Sequence, residues 1–195
     1  MKCYIIFAHP NHEGLCYAAF ESLTKGLEAA GHELKVADLY AENFNPVLVF
    51  NETRRRRDMQ HDPETEAYRE AITWADHLVF VFPIWWGGMP AILKGFVDRV
   101  FVSGFAYKYV KNRTSGMEGL LKNKTAWIVN MQDAPAIVRF IPFIMHDYGL
   151  VLKKQVLIAC GFTKVKHFSI ASVRDSAPEK RSKWLQTLYK LGDTL

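Results

Sequence analysis

Cysteine is scarce in this chain of 195 residues. The three cysteines, Cys3, Cys16 and Cys160, lie far apart and form neither a CxxC pair nor a cluster with histidine. An odd number at such spacing speaks against a disulfide framework and against a structural zinc site. We therefore expect three reduced thiols and no bound metal.

Long apolar runs are missing as well. The longest, residues 78–86 and 140–145, fall far short of the ~20 residues that a membrane-spanning helix needs. The apolar stretch near the amino terminus lasts only from residue 3 to residue 8, and no small-residue cleavage site follows it, so it is too short for a signal-peptide core. The sequence thus predicts a cytoplasmic protein with no integral membrane segment.

Acidic residues are few in the second half of the chain. Residues 1–107 carry 10 basic and 14 acidic groups, residues 108–195 carry 15 and 6, and the formal net charge is +5. A basic half could attract a phosphorylated cofactor, an acidic partner or nucleic acid, although interleaved lysines are more often a solvated surface. Because no helix-turn-helix, RNP or zinc-finger pattern is present, we expect no nucleic-acid partner.

What the chain does have is an ordinary share of core-forming residues. It is 49% hydrophobic and 23% charged, well outside the regime of intrinsic disorder. The length suits one domain, and no linker, repeat or low-complexity tract divides it. We predict a single domain over residues 1–195.

Short apolar runs alternate with helical patterns along the chain. The runs predict five strands, at residues 3–8, 33–39, 77–82, 125–130 and 165–170. Helices are predicted at residues 15–30, 62–75 and 90–101 and at the carboxyl terminus, where Ser176 to Glu179 resembles a capping box. Right-handed crossovers then give an α/β three-layer sandwich around a parallel sheet of order 2-1-3-4-5. Its ligand crevice should lie at the carboxyl ends of strands 1, 3 and 4.

The first of the three loops at that crevice, residues 9–14, leads into a helix amino terminus. Free backbone N–H groups and the helix dipole make such a terminus an anion site, and His9 or His12 could pair with a phosphate there. A loop histidine is also often simply solvated. With one glycine, Gly14, the loop is neither GxGxxG nor a Walker A motif, which argues against the dinucleotide fold and the P-loop nucleotidases.

The second loop, residues 83–90, carries two adjacent tryptophans, Trp85 and Trp86, followed by two glycines. An indole wall beside a flexible backbone suits a planar aromatic ligand whose heteroatoms bind loop N–H groups. The alternative is that both indoles pack under the next helix or in a subunit interface. The third loop, Asn130 to Asp133, has amides that could reach polar edges of a ring, or it is an ordinary polar turn.

The stretch from Phe82 to Tyr109, FPIWWGGMPAILKGFVDRVFVSGFAYKY, resembles the signature of the NAD(P)H:quinone oxidoreductase family. That family includes DT-diaphorase, modulator of drug activity B, general stress protein 14 and ancillary subunits of potassium efflux systems. AHPN from Ala8, DLYAENFNP from Asp38 and ACGF from Ala159 match in the same order. The resemblance covers most of the chain and implies a flavodoxin-like homodimer that passes hydride from NAD(P)H through a flavin to a quinone.

The resemblance also implies roles for individual residues. The matching cofactor-binding positions are His9, Gly14, Leu15, Cys16, Pro83, Ile84, Trp85, Trp86 and Gly87, together with Asn130, Met131, Gln132 and Asp133. Tyr107 and Tyr109 match an aromatic pair that a second subunit contributes to the roof of the pocket. His146 and Tyr148 are candidates for a pair that assists charge transfer, or are helix-surface or core residues.

The cofactor is expected to be FAD, with FMN as the alternative and NAD(P)H as co-substrate. The run Arg54 to Arg57 could contact an adenylate phosphate or face solvent. We expect two-electron, ping-pong reduction of quinones or related electrophilic aromatics. The alternative function is a flavin-binding ancillary subunit whose basic half docks on a membrane transporter. A one-electron carrier fits less well, because such carriers are typically acidic.

Overall fold

The computed structural model describes residues 1–53, 55–111, 116–135 and 149–195. The described residues form seven strands: β1 Lys2–Phe7, β2 Glu33–Asp38, β3 His77–Pro83, β4 Tyr107–Tyr109, β5 Met117–Gly119, β6 Thr125–Met131 and β7 Lys164–Ile170. The α-helices are α1 Leu15–Ala29, α2 Glu66–Trp74, α3 Ala91–Val100 and α4 Pro178–Leu191, with a π-helical segment at Val151–Ile158. Within these ranges no helix is long and apolar enough to cross a membrane.

Five of the strands build one parallel sheet in the order β2-β1-β3-β6-β7. These are the five strands that the sequence predicts, in the predicted order 2-1-3-4-5, so the flavodoxin-like α/β prediction is confirmed. The small antiparallel hairpin of β4 and β5 was not predicted. Each of its strands has only three residues, too few to show a period in the sequence.

The core lies in two layers, one on each face of the sheet. Strand β3 is buried along its whole length because both of its faces are covered. On one face, Ile6 and Phe80 pack with Phe96 of α3; on the other, Ile5 packs with Leu23 of α1, and α4 covers that layer. The continuous apolar runs in the sequence are therefore the central strands.

The structure confirms the predicted end of α1 but not the predicted cap of α4. Gly31 adopts φ +79°, and the amides of Gly31 and His32 donate to the carbonyls of Glu28 and Leu27, which ends α1 as expected. The predicted capping box at Ser176 is wrong: Ala177 precedes α4 without a side-chain cap. The Ser176 hydroxyl instead donates to the carbonyl of Val173, which draws it away from the helix amides.

The long connection after β2 is not a loose loop over the surface, because buried hydrogen bonds hold it against α3. Arg99 of α3 is buried and donates to the carboxylate of Asp62, at 3.0 Å, and to the carbonyl of Asn45, at 2.6 Å. The segment between them therefore follows α3 and contributes the buried side chain of Met59. Arg55, Arg56 and Arg57 are exposed, and Arg54 lies outside the described residues.

Candidate active site

A cleft opens at the carboxyl ends of β1, β3, β6 and β7. The space between its walls, including the part that is open to solvent, is about 560 Å³. The lining residues come from four separate segments: His9, Gly14, Leu15 and Cys16; Pro83, Ile84 and Trp85; Met131, Gln132 and Asp133; and Val173. The cleft is therefore at the switch point of the sheet, where the strand order reverses.

The first loop holds His9 at the mouth of the cleft. Its Nδ1 lies 3.0 Å from both the amide nitrogen and the carbonyl oxygen of Asn11. The Asn11 side chain accepts a hydrogen bond of 2.7 Å from the amide of Glu13, which tightens the turn. When Nδ1 accepts the Asn11 amide, the proton of the neutral ring is on Nε2, which is then a donor for a ligand.

Helix α1 begins directly behind His9. Gly14 precedes it without a side-chain cap, and the first intrahelical bond runs from the Ala18 amide to the Gly14 carbonyl, at 3.1 Å. The amides of the first turn are left for an anion, and the helix dipole favours one. Burial raises the pKa of the Cys16 thiol in this turn to about 12, so at neutral pH the thiol carries no charge that would repel an anion.

The second loop makes a tight turn. The amide and carbonyl of Trp85 pair with those of Gly88, both at 3.0 Å, and the two residues between them adopt positive φ: +50° for Trp86 and +79° for Gly87. This is the pattern of a primed hairpin turn, in which a bulky residue is strained. The Trp85 ring centroid lies 5.8 Å from that of His9, whereas Trp86 is fully exposed.

The third wall combines the loops after β6 and β7. The Gln132 amide donates to the Ile170 carbonyl at 2.9 Å, and the Val173 amide donates to the Gln132 carbonyl at 3.2 Å. Asp133 accepts from the Arg174 amide and guanidinium at 3.0 and 3.1 Å. These bonds fix the two loops to each other and make this wall a rigid one.

A sequence family described as having a flavodoxin-like fold matches residues 1–191. The human ribosyldihydronicotinamide dehydrogenase [quinone] is 31% identical, over 97% of this chain and 92% of that protein. The chain belongs to the NAD(P)H:quinone oxidoreductase family. As a member it is an oxidoreductase.

Two solved structures extend the similarity to three dimensions. Smu.1420 from Streptococcus mutans UA159 superimposes with a TM-score of 0.93 and 44% identity, covering 100% of both chains. The NAD(P)H:quinone oxidoreductase from Methanothermobacter marburgensis superimposes with a TM-score of 0.85 and 27% identity, covering 99% of this chain and 98% of that one. This member of the quinone oxidoreductase family therefore shares its fold, over nearly the whole chain, with both proteins.

The structure brings together most of the residues that the sequence pointed to. Ten lie in the cleft lining: His9, Gly14, Leu15, Cys16, Pro83, Ile84, Trp85, Met131, Gln132 and Asp133. Trp86 and Gly87 form the turn above it. The one member of the predicted set that the structure places elsewhere is Asn130, which is fully buried and bonds to His167 at 2.7 Å.

Val173 is a lining residue that sequence reasoning missed. The predicted strand order was enough to find it, because the loop after the fifth parallel strand must lie at the same edge of the sheet as the other cleft loops. Tyr107 and Tyr109 lie in the β4 hairpin with their rings 5.6 Å apart at 90°, and Tyr107 lines a different cavity. His146 and Tyr148 lie outside the described residues.

Proposed function

We propose that this protein is a flavin-dependent NAD(P)H oxidoreductase that reduces quinones or related small electrophilic aromatics by two-electron transfer. One observation carries the proposal: the cleft sets an anion-binding helix terminus and an indole side by side. A flavin mononucleotide unit has the same two parts, a phosphate and a flat aromatic ring. The names of the human and the Methanothermobacter relatives both contain quinone, and that of the Methanothermobacter protein also contains NAD(P)H, which supports the proposal.

The residues of the cleft fit such a cofactor. The α1 amides and His9 would hold the phosphate, with no acidic side chain in that part of the lining to oppose it. Trp85, 42% exposed, offers one side of its indole to a ring. The amides of Trp86 and Gly87 have no hydrogen-bond partner among the described residues and would donate to acceptor atoms on the ring edge.

Our prediction for the flavin is FAD, with FMN as the alternative. The arginines at 55–57 that the sequence offered for an adenylate phosphate are absent from the described lining of the cleft, so they lend FAD no support. The exposed run pairs instead with Asp58, through Arg55 at 3.2 Å and Arg57 at 4.0 Å.

A bound flavin would supply the chemistry by accepting hydride from NAD(P)H and passing it to the quinone. The chain's own residues position the rings and exclude water, and they do not need a nucleophile. Overall, NAD(P)H, one proton and a quinone give NAD(P)⁺ and the hydroquinone. Because one cleft serves both substrates, they would occupy it in turn, and initial-rate lines at several quinone concentrations should be parallel. Intersecting lines would contradict this ping-pong order.

The remaining proposals concern assembly. We propose a homodimer in which Tyr107 and Tyr109 of a second copy cover the cleft, since Tyr109 is 74% exposed although aromatic. A cytoplasmic location and the alternative of a regulatory subunit on a membrane transporter stay predictions. Transporter docking would show as membrane association that is lost at high salt or when the partner is deleted.

The test is to purify the protein, record its visible absorbance, and identify the released flavin by chromatography. We expect yellow protein, bleached by NADH or NADPH and recoloured by a quinone. Folded protein that stays colourless after incubation with either FAD or FMN would overturn the proposal. The chromatogram also decides between the two flavins.

A further inference from the structure

The described lining of the cleft contains little positive charge. None of its residues is a lysine or an arginine, and His9 is the one lining residue that can become a cation. NADH and NADPH each carry a diphosphate with two negative charges, and NADPH carries a further phosphate. A cleft that accepts such hydride donors needs a cation close to its walls.

Arg174 places a cation at the rim of the cleft. It directly follows Val173, which lines the cleft, and its guanidinium donates to the carboxylate of Asp133, another lining residue, at 3.1 Å. The Arg174 side chain is 79% exposed and that of Asp133 is 54% exposed. An ion pair this open to solvent contributes little to stability, so the guanidinium can change its partner at small cost.

The loop that carries Arg174 is held without its guanidinium. The second carboxylate oxygen of Asp133 accepts from the Arg174 backbone amide at 3.0 Å. The Val173 amide donates to the carbonyl of Gln132 at 3.2 Å. Neither bond involves the end of the arginine side chain. Arg174 therefore combines a fixed backbone with a charged group that is free to move.

We propose that Arg174 is a specificity-determining residue whose guanidinium leaves the Asp133 carboxylate and binds the diphosphate of NAD(P)H. This inference rests on the proposed function. The nicotinamide ring must enter the cleft to deliver hydride, whereas the charged diphosphate stays near solvent at the rim, where Arg174 lies. A guanidinium binds phosphate oxygens through two parallel hydrogen bonds. Arg174 thus favours phosphorylated hydride donors over uncharged dihydronicotinamides.

The variant Arg174→Gln tests this on protein saturated with flavin. The KM values for NADH and NADPH should both rise about tenfold with little change in kcat, because a charge-assisted hydrogen bond is lost. Dihydronicotinamide riboside has the same hydride-donating ring and no phosphate, so its KM should change less than twofold. Equal changes for all three hydride donors would overturn the proposal. A loss confined to NADPH would place the contact at its additional phosphate and overturn the diphosphate assignment.

Asp133→Asn should have an effect of opposite sign. Asparagine keeps an acceptor oxygen for the Arg174 amide but removes the charge that competes for the guanidinium and repels phosphate. The KM for NADH should therefore fall about threefold. If the ion pair served only to join the two loops, both variants would impair the protein. A KM that does not fall in Asp133→Asn would contradict the exchange of partners.

Lys180 provides a control of the same charge. It lies at the beginning of α4, where its ammonium group is 5.1 Å from the ring centroid of Trp184, and it does not belong to the described lining of the cleft. Lys180→Gln should change the KM for NADH less than twofold. A tenfold rise in this variant would indicate general attraction of anions by the basic half of the chain, and would overturn a specific contact at Arg174.

Binding of NAD⁺ supplies a readout that needs no turnover. Calorimetric titration of NAD⁺ into flavin-loaded protein should show about tenfold weaker binding to Arg174→Gln than to the wild type. Equal dissociation constants would overturn the role of Arg174. A wild type that oxidises none of the three hydride donors when saturated with FAD or FMN would instead overturn the proposed function.

Discussion

The two ends of the same parallel strands are built differently. At the amino end, His77 and Trp127 are almost fully buried, with their rings 4.7 Å apart in a T-shaped contact, and the His77 Nδ1 lies 2.6 Å from the Thr125 hydroxyl. At the carboxyl end, Trp85 is half exposed and Trp86 fully exposed. One end thus uses its aromatic rings for packing, and the other leaves them open for a ligand.

The largest expected effect of that difference is on stability. Trp127→Ala should lower the free energy of unfolding by about 3–5 kcal/mol, because it empties a volume between His77 and Phe168. Trp86→Ala should change it by less than about 0.5 kcal/mol, since the side chain touches little. Urea denaturation of both apoproteins measures this.

Flavin affinity should respond the other way: it should fall in Trp85→Ala, which removes the indole that lines the cleft, and stay unchanged in folded Trp127→Ala. If Trp127→Ala does not fold, Trp127→Phe gives a smaller loss of stability. Similar unfolding free energies for Trp127→Ala and Trp86→Ala would contradict the contrast between the two ends.

Only part of this difference between the two ends of the sheet could be predicted from the sequence. Apolar runs fixed the five strands and hence the edge of the sheet where loops meet, because periodicity reports burial directly. The side of the sheet on which each residue points was also readable: Asn130 is two positions after Ile128, so it shares the face of Ile128 rather than that of Met131. Grouping it with the cleft overlooked that alternation.

Other features depend on contacts that a pattern does not carry. The capping box at Ser176 has the right residues, but Arg181 donates to the Ser176 hydroxyl at 2.9 Å and holds it outside the helix. The backbone hydrogen bonds of Gln132 with Ile170 and Val173 join loops about 40 residues apart, and no local sequence pattern predicts them. Hydrogen bonds between distant residues thus determine these two features, which the local sequence does not.

The second effect belongs to the carboxyl end. His9→Ala should weaken binding of FMN by roughly 10–100-fold, the range for loss of a hydrogen bond to a charged group, with little change in stability. Binding of riboflavin, which has no phosphate, should be unaffected. Equal losses for FMN and riboflavin would mean that His9 contacts the ring instead.

His12 supplies the matched control for this experiment. It lies in the same loop but is held 2.7 Å from the Asp38 carboxylate, with its ring centroid 4.8 Å from that of Tyr17. His12→Ala should therefore weaken FMN binding much less than His9→Ala. The two variants together distinguish a phosphate ligand from a histidine that merely shapes the loop.

The third effect is a pH dependence that starts at the amino end. Burial, with help from nearby His32 and Lys166, lowers the pKa of His77 from 6.5 to about 3. Between these values the unfolded chain binds a proton that the folded protein does not, so stability falls as the pH drops below 6.5. From pH 7 to pH 5 the expected loss is about 2 kcal/mol, at 1.36 kcal/mol per unit.

Urea midpoints at pH 7 and pH 5 check this, compared between the wild type and His77→Phe. The variant should lose most of the pH dependence in that interval, whatever its stability at pH 7. A wild type and a variant with the same slope would show that other groups cause it. Flavin affinity at the far end of the sheet should not follow the titration of His77.

The smallest effect concerns backbone strain. Two non-glycine residues in the left-handed region lie next to the strands of the sheet. Asn123, at φ +66°, precedes β6 at the amino end, and Trp86, at φ +50°, follows β3 at the carboxyl end. Asparagine tolerates this conformation, whereas a bulky side chain is strained by about 1–2 kcal/mol. Relief of this strain is partly offset by the entropy that glycine adds to the unfolded chain, so Trp86→Gly should stabilise the apoprotein by about 0.5–1 kcal/mol. Asn123→Gly should stabilise it by less.

A gain in stability together with a loss of flavin affinity in Trp86→Gly would mean that the strain at this end is retained for binding. A loss of stability would show that the turn itself requires the indole.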